Sequence, residues 1–253
     1  MIYVGRKCYP YMEEINEGIL RQLRRLTMAG GRMLDVGCGR AALGEAVQQL
    51  GWEVWGIEEN REACATARTR IPHLIEGNLL DTEYVRQSLG ETQFDALVFS
   101  DVLEHLYDPR SVLESYLRYL KPGGRVLISV PNAVVWTNRI QWLLGRINYQ
   151  DTGVMDRTHI RFFTFRTTRQ LVEAAGCRMD RVDFTPYLVR AVLPLIKRVI
   201  RADRLSGDYN PRAMIDSPGY RLYMRYVYPV EYAITFLWKR MLSFRIIVVG
   251  VKP

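Results

Sequence analysis

The chain has no run of about 18 uninterrupted apolar residues, so a membrane-spanning helix is not expected. Its four cysteines, Cys8, Cys38, Cys64 and Cys177, are scattered and form no Cys-x-x-Cys pair. That spacing argues against a disulfide framework or a thiolate zinc site, and for free thiols in a reducing compartment. The first 18 residues carry basic side chains without the apolar core that follows them in a signal peptide, so a cytoplasmic protein is expected. Histidine is scarce as well: His73, His105 and His159 are the only three. Internal repeats and low-complexity tracts are missing. No cluster of oxygen ligands stands out, because Asp101 and Glu104 have no third partner in the pattern, so no metal is expected. What is present is an ordinary globular balance, 48% hydrophobic and 25% charged among 253 residues, which excludes disorder as the main state.

Charge is unevenly placed. Residues 1–185 carry 23 basic and 23 acidic side chains, whereas residues 186–253 carry 12 basic and 4 acidic ones. The formal excess of +8 therefore lies wholly in the last quarter. A neutral body with a basic end predicts one surface that meets something anionic. No nucleic-acid module is visible, and a nucleic-acid partner is not expected.

From residue 31 short apolar runs alternate with helical patterns, as in a parallel sheet wrapped by helices. Strands are predicted at Arg32–Val36, Glu53–Ile57, His73–Glu76, Asp95–Ser100 and Arg125–Val130, with helices over Ala41–Leu50 and Arg61–Arg70. Asp108-Pro109 reads as an N-cap and first helical residue, and Lys121-Pro122-Gly123-Gly124 as the stop and turn that follow. Thr167-x-x-Gln170 reads as a capping box for a helix ending near Gly176, and strands at Arg178–Phe184 and Phe244–Val251 complete the series. Two long connections, Pro131–Phe165 and Thr185–Ser243, break the alternation and are predicted to be lids or binding surfaces. The expected organisation is a helical segment over the site in residues 1–30, a core over 31–186 with a lid at 131–165, a basic aromatic helical insertion over 187–243, and a final strand in 244–253.

Gly37-Cys38-Gly39 leaves the first strand and opens the first helix, where glycine permits a tight turn and close approach of a ligand. Glu58 closes the second strand 19 positions after Gly39, suited to accept both ribose hydroxyls of an adenosine ligand. Together they predict a nucleoside cofactor at the carboxyl ends of strands one and two. Ala42 could be the third small residue of a dinucleotide fingerprint, so NAD stays open at this level. Asp35 points elsewhere. An acid two residues before the first glycine repels a pyrophosphate and suits the sulfonium and ammonium of S-adenosylmethionine, unless it merely caps the turn.

Four motifs in order, LDVGCG, GIE, FDALVFSDVLEHLYDP and LKPGGRVLISVPN, resemble the class I S-adenosylmethionine-dependent methyltransferases. The likeness covers residues 30–180 and is close to the subgroup of ubiquinone-biosynthesis O-methyltransferases and bacterial glycan and small-molecule methyltransferases. It implies a Rossmann-like α/β fold: a seven-stranded sheet with an antiparallel last strand and helices on both faces. It also implies that Asp35 and the Gly37-Cys38-Gly39 loop border the methionine part of the cofactor, that Glu58 holds the ribose, and that Ser100 and Asp101 line the methionine side. Where the family has an acid for the adenine amino group, this chain has Gly77-Asn78-Leu79. Asn78 can still accept through Oδ1, with Asp81 as the alternative. The product would be S-adenosylhomocysteine.

Methyl transfer is an in-line displacement, and an oxygen nucleophile benefits from a base that removes its proton. His73 opens a strand and reads as structural. His105, in Leu-Glu-His-Leu, resembles a position beside the cofactor; its plainer reading is a hydrogen bond that holds the strand–helix turn. His159 lies in Asp156-Arg157-Thr158-His159-Ile160-Arg161-Phe162-Phe163, which resembles the THxxxF stretch over the acceptor pocket of the O-methyltransferase subgroup. It is the candidate base, with Asp156 to orient the imidazole or hold a substrate hydroxyl and Arg161 to meet an anionic group. The alternative is a polar network that only orders the lid.

In the insertion, Tyr187–Leu205 can place Leu188, Val192, Leu195, Ile196 and Val199 on one helical face with arginines off it. Further on, Tyr220, Tyr223, Tyr226, Tyr228, Tyr232, Phe236 and Trp238 crowd among Arg221, Arg225, Lys239 and Arg240. Such a mix suits a membrane interface, or helices packed on the sheet or on a second subunit. The expected function is S-adenosylmethionine-dependent methylation of an oxygen on a small-molecule, glycan or lipid-linked acceptor, with peripheral membrane contact at the inner face left open. An N-methyltransferase, an NAD-dependent oxidoreductase and a non-catalytic partner subunit are the rival readings.

Overall fold

A computed structural model describes residues 15–26, 30–189, 191 and 221–253. Seven strands form one sheet: β1 Arg32–Val36, β2 Glu53–Glu58, β3 His73–Glu76, β4 Phe94–Ser100, β5 Leu120–Pro131, β6 Arg178–Pro186 and β7 Ser243–Val251. Their order is β3-β2-β1-β4-β5-β7-β6, and β7 runs antiparallel to both its neighbours while the other pairs are parallel. This is the α/β sheet with a reversed last strand that the motifs implied. Between the strands lie α1 Glu17–Arg25, α2 Ala42–Gln48, α3 Arg61–Ala67, α4 Thr82–Leu89, α5 Pro109–Leu117, α6 Trp136–Leu143 and α7 Phe165–Ala174. Before β7 come a π-helical turn at Tyr223–Val227, α8 Tyr228–Leu237 and α9 Lys239–Leu242.

Alternation along the strands sends successive side chains to opposite faces and so builds two cores. Leu34, Val36, Phe99, Val126, Ile128, Ile246 and Val248 join Leu113 and Tyr116 of α5 on one face. Met33, Val54, Val98, Leu127, Ile247 and Val249 join Ile19, Leu20 and Leu23 of α1 on the other. His73 has the structural role expected of it, with its ring stacked 4.3 Å from that of Trp55. Cys38, Cys64 and Cys177 are free thiols.

Local details depart from the sequence expectations at two places. Lys121-Pro122-Gly123-Gly124 does not precede β5 but lies inside it: Phe94 pairs with Leu120, and the register then jumps to Ala96 opposite Arg125. The strand absorbs the turn because Gly123 has φ +73° and donates its N–H to the Lys252 carbonyl. The capping box of α7 is formed by Thr164 and Thr167, three residues earlier than expected; each side-chain oxygen accepts from the other residue's N–H, at 3.2 and 2.9 Å. Asp108 and Pro109 cap α5 as predicted, with Asp108 Oδ1 accepting from Ser111 N–H at 3.1 Å. The helical pattern read over Tyr187–Leu205 lies mostly outside the described residues.

Candidate active site

The strand order reverses between β1 and β4, and the crevice at the carboxyl ends of those strands is where ligands bind in such sheets. Gly37 leaves β1 with φ +76°, and a Cβ there would lie 2.8 Å from Val102 Cγ2, so the position requires glycine on two counts. The N–H groups of Gly37 and Cys38 donate to the Ile57 carbonyl, at 2.9 and 3.0 Å, which ties the loop to the end of β2. Gly39 N–H donates to Glu58 Oε2 at 2.9 Å, while Glu58 Oε1 accepts from the N–H groups of Glu59 and Asn60. Ala41, at φ +56°, lies ahead of α2 instead of inside it.

Asp35 is buried beside this loop, and its Oδ1 has no hydrogen-bond partner. Burial, and then the neighbouring Glu58, push its pKa up to about 7. Burial, and then Asp35 and Glu58, raise the Cys38 thiol. A buried carboxylate short of a partner, next to a second carboxylate, fits a cationic ligand group and opposes a pyrophosphate.

After β3, Asn78 Oδ1 accepts from Leu80 N–H at 2.8 Å, and the Leu79 carbonyl accepts from the Tyr116 hydroxyl at 2.9 Å. Asp81, the alternative adenine contact, caps α4 by accepting from Tyr84 N–H at 3.1 Å. At the end of β4, Asp101 has φ +55°, an uncommon backbone state for a non-glycine residue. Its Oδ1 accepts from the Ser129 hydroxyl at 2.6 Å and its Oδ2 from Arg245 Nε at 2.7 Å. Asn16, the cap of α1, donates through Nδ2 to Ser129 Oγ at 2.8 Å and Ser100 Oγ at 3.1 Å. Asn16, Ser129 and Arg245 escaped sequence reasoning because each is far along the chain from the motif it supports.

A 3-10 turn, Leu103–His105, anchors the connection that follows β5: the N–H groups of Ile160 and Arg161 both donate to the Glu104 carbonyl at 3.0 Å. His105 Nδ1 pairs with the Thr158 carbonyl at 3.2 Å, and burial, then His159, lowers its pKa to about 4. The His105 and His159 rings meet edge to face, 4.8 Å apart. Buried His159 has Nδ1 3.0 Å from the Val154 carbonyl. A carbonyl partner assigns the proton to Nδ1 and leaves Nε2 basic, 4.0 Å from Glu104 Oε1. Glu104 is 1% exposed and neither carboxyl oxygen has a hydrogen-bond partner; burial, then Asp101, raises its pKa well above the ordinary range.

One expected role is corrected. Asp156 does not orient the imidazole; its Oδ1 accepts from the N–H and hydroxyl of Thr158, at 2.8 and 2.7 Å, and the Val154 carbonyl holds the ring instead. Arg161 is engaged with the Tyr107 carbonyl and lies 5.3 Å from the centre of the Tyr107 ring. The pair weighed in the sequence, Asp101 and Glu104, gains no third partner among the described residues, but a different set meets: one ligand atom each from Glu104, His105 and His159 lie within 4.8 Å of one another and could hold a divalent ion. Beside them Tyr149, Arg157, His159, Ile160 and Phe162 line an open recess of about 470 Å³.

A family model described as a methyltransferase domain matches residues 11–182. The chain belongs to that family. As a class I methyltransferase it is an enzyme that uses S-adenosylmethionine, and the dinucleotide alternative falls away. It is 35% identical over 193 residues to a ubiquinone biosynthesis O-methyltransferase of Xanthomonas oryzae pv. oryzae (strain PXO99A), covering 67% of this chain and 79% of that protein. A protein of the same description from Pseudomonas entomophila is 39% identical over 114 residues, 43% of this chain; the match spans about half of that relative, 47%. Among solved structures, an S-adenosylmethionine-dependent methyltransferase from Archaeoglobus fulgidus superposes with a TM-score of 0.58 at 18% identity, covering 92% of this chain and 93% of that one. Phosphoethanolamine N-methyltransferase 2 of Haemonchus contortus, solved with S-adenosylmethionine, gives 0.56 at 18%, covering 92% and 52%. The methyltransferase thus shares its fold with enzymes whose names span both oxygen and nitrogen acceptors.

Proposed function

We propose that this methyltransferase methylates an oxygen of a small-molecule or lipid-linked acceptor held between the Leu103–His105 turn and the lid, with His159 as the base. The observation that carries the reading is the imidazole itself: buried in the wall of the recess, Nδ1 pinned to the Val154 carbonyl, Nε2 left basic. S-adenosylmethionine supplies an electrophilic methyl group on a positively charged sulfur. Asp35 would balance that charge, Glu58 would take the ribose hydroxyls, and Asn78 with Leu79 would meet the adenine edge. Ser100 and Asp101 would bound the methionine side, while Asn16 ties α1 over it as part of the cap. His159 Nε2 would take the proton of the acceptor hydroxyl as its oxygen bonds the methyl carbon and the carbon–sulfur bond breaks, leaving S-adenosylhomocysteine. The 35%-identical relative is an O-methyltransferase, which favours oxygen over nitrogen. His159→Ala is expected to lose turnover by about 10²–10⁴ fold while cofactor affinity, read by calorimetry, stays within about twofold. Unchanged turnover would leave His159 a structural residue.

One observation favours a second reading, in which the acceptor oxygen is ionised by a divalent ion. Both carboxyl oxygens of Glu104 are buried without partners, within reach of two imidazoles. Chelation followed by stepwise return of magnesium, manganese or zinc separates the two: loss and recovery of turnover supports the ion, and indifference to chelator supports the base.

A further inference from the structure

The helix α8 is inside out. Its sole charged residue, Glu231, and its hydroxyl residue Thr235 are buried, one turn apart on the face that meets the sheet. Glu231 Oε1 accepts from the N–H groups of Leu188 and Val189, at 2.7 and 2.9 Å. On the same side Tyr232 stacks 4.6 Å from Phe184 and donates its hydroxyl to Asp183 Oδ1 at 2.7 Å. The face turned to solvent is apolar: Val227, Val230, Ile234 and Leu237 recur every three or four residues, flanked by Phe236 and Trp238. Phe236, Leu237 and Trp238 are 62%, 78% and 70% exposed, the reverse of an ordinary surface helix.

Cations border the patch. Arg221 and Arg225 lie at its start and Lys239 and Arg240 at its end, within the quarter of the chain that carries 12 basic and 4 acidic side chains. No helix of the described residues is long and apolar enough to cross a membrane. An apolar face with aromatic side chains and a basic border is the composition that lies in a bilayer interface, apolar side down, with cations among anionic headgroups. Its C-terminal end is fixed beside the active site, because Asn132, just after β5, donates from Nδ2 to the carbonyls of Arg240 and Ser243.

We propose that the α8–α9 face is a docking surface for an anionic lipid bilayer, which it engages peripherally. The inference concerns this surface alone and stands whether the acceptor is lipid-linked or freely soluble. Docking there would hold the mouth of the crevice close to the interface. The full chain is to be sedimented with neutral phosphatidylcholine vesicles and with vesicles containing a third phosphatidylglycerol, at low and high salt. Binding is expected to the anionic vesicles, weakened by salt and weak on neutral lipid. Phe236→Ser with Leu237→Ser should lower partitioning at least about tenfold, and Arg225→Glu or Arg240→Glu about fivefold each. These side chains are exposed, so unchanged S-adenosylmethionine affinity checks that every variant is folded. Failure of the wild type to sediment at low salt overturns the proposal, as does equal binding by the variants. A dimer by light scattering that the serine pair dissolves, without vesicle binding, would give the face to a second copy of the chain and likewise overturn it.

Discussion

Substitution of Asp35 by asparagine isolates the charge that the proposed cofactor site would use. In the ligand-free protein this carboxyl titrates at about 7, through burial and the nearby Glu58. At pH 6 about one molecule in eleven has it ionised, and at pH 7 about one in two. A sulfonium selects the ionised form, so wild-type affinity for S-adenosylmethionine should rise about fivefold from pH 6 to pH 7. Binding at pH 6 should release close to one proton, roughly 0.9, for the same reason. The window ends at pH 7 because the ligand's own α-amino group loses its proton at about 8. Asparagine has no charge to recruit. Asp35→Asn should therefore bind with little pH dependence, and at pH 7 more weakly by about 2 kcal/mol, roughly thirtyfold, the scale of a charge-assisted hydrogen bond. Calorimetry in two buffers of different ionisation enthalpy reads both the affinity and the proton count. A flat wild-type profile without proton release would refute the argument. The shift also fixes a sign for stability: the pKa is raised on folding, so the folded state holds more protons between pH 4 and 7. Ligand-free stability should fall as pH rises through that range, and the asparagine variant should lose that dependence.

Three other outcomes follow from the geometry. Gly37→Val places a branched side chain at φ +76° with its Cβ 2.8 Å from Val102; cofactor binding should vanish in calorimetry while the far-ultraviolet circular dichroism persists, and normal binding would remove the site from this loop. Arg21 donates to Asp183, to the Phe184 carbonyl and to the Tyr228 hydroxyl; Arg21→Ala should lower stability in urea by about 2–3 kcal/mol because Asp183 stays buried with its charge less compensated, and an unmoved midpoint would deny that role. Thr164→Ala removes the cap of α7 and should destabilise by about 1 kcal/mol in the same assay, more than Thr167→Ala at the reciprocal position.

Much of the sheet was legible because each strand is a compact apolar run between turn residues, and because the glycine loop and Glu58 sit at fixed spacing on adjacent strands. His73–Glu76 coincides with its predicted bounds, and β2 and β4 differ from theirs by one residue. Where prediction slipped, a long-range partner overrode a local signal. Lys121–Gly124 has the composition of a turn and bulges out of the ladder, but Leu120 and Arg125 pair with β4 on either side of it and Gly123 bonds the carbonyl of Lys252, so the strand continues through it. Asp156 is three residues from His159, close enough to suggest a charge pair, but the chain turns so that its oxygen faces Thr158. The meeting of Glu104, His105 and His159 spans more than 50 positions and depends on the lid folding back onto one 3-10 turn. No spacing rule carries that information.

The strand that comes last in the chain does not come last in space. β7 sits between β5 and β6, bonded to Arg125–Pro131 on one side and Arg178–Pro186 on the other. A ribosome delivering this protein has therefore made most of the sheet while two of its edges still wait for residues 243–251. Until those arrive, β6 has no place in the sheet and the apolar rim of β5 is open to wrong partners. The pair Arg125–Val251 closes a contact across more than 100 residues, a non-local pairing of the kind that slows folding.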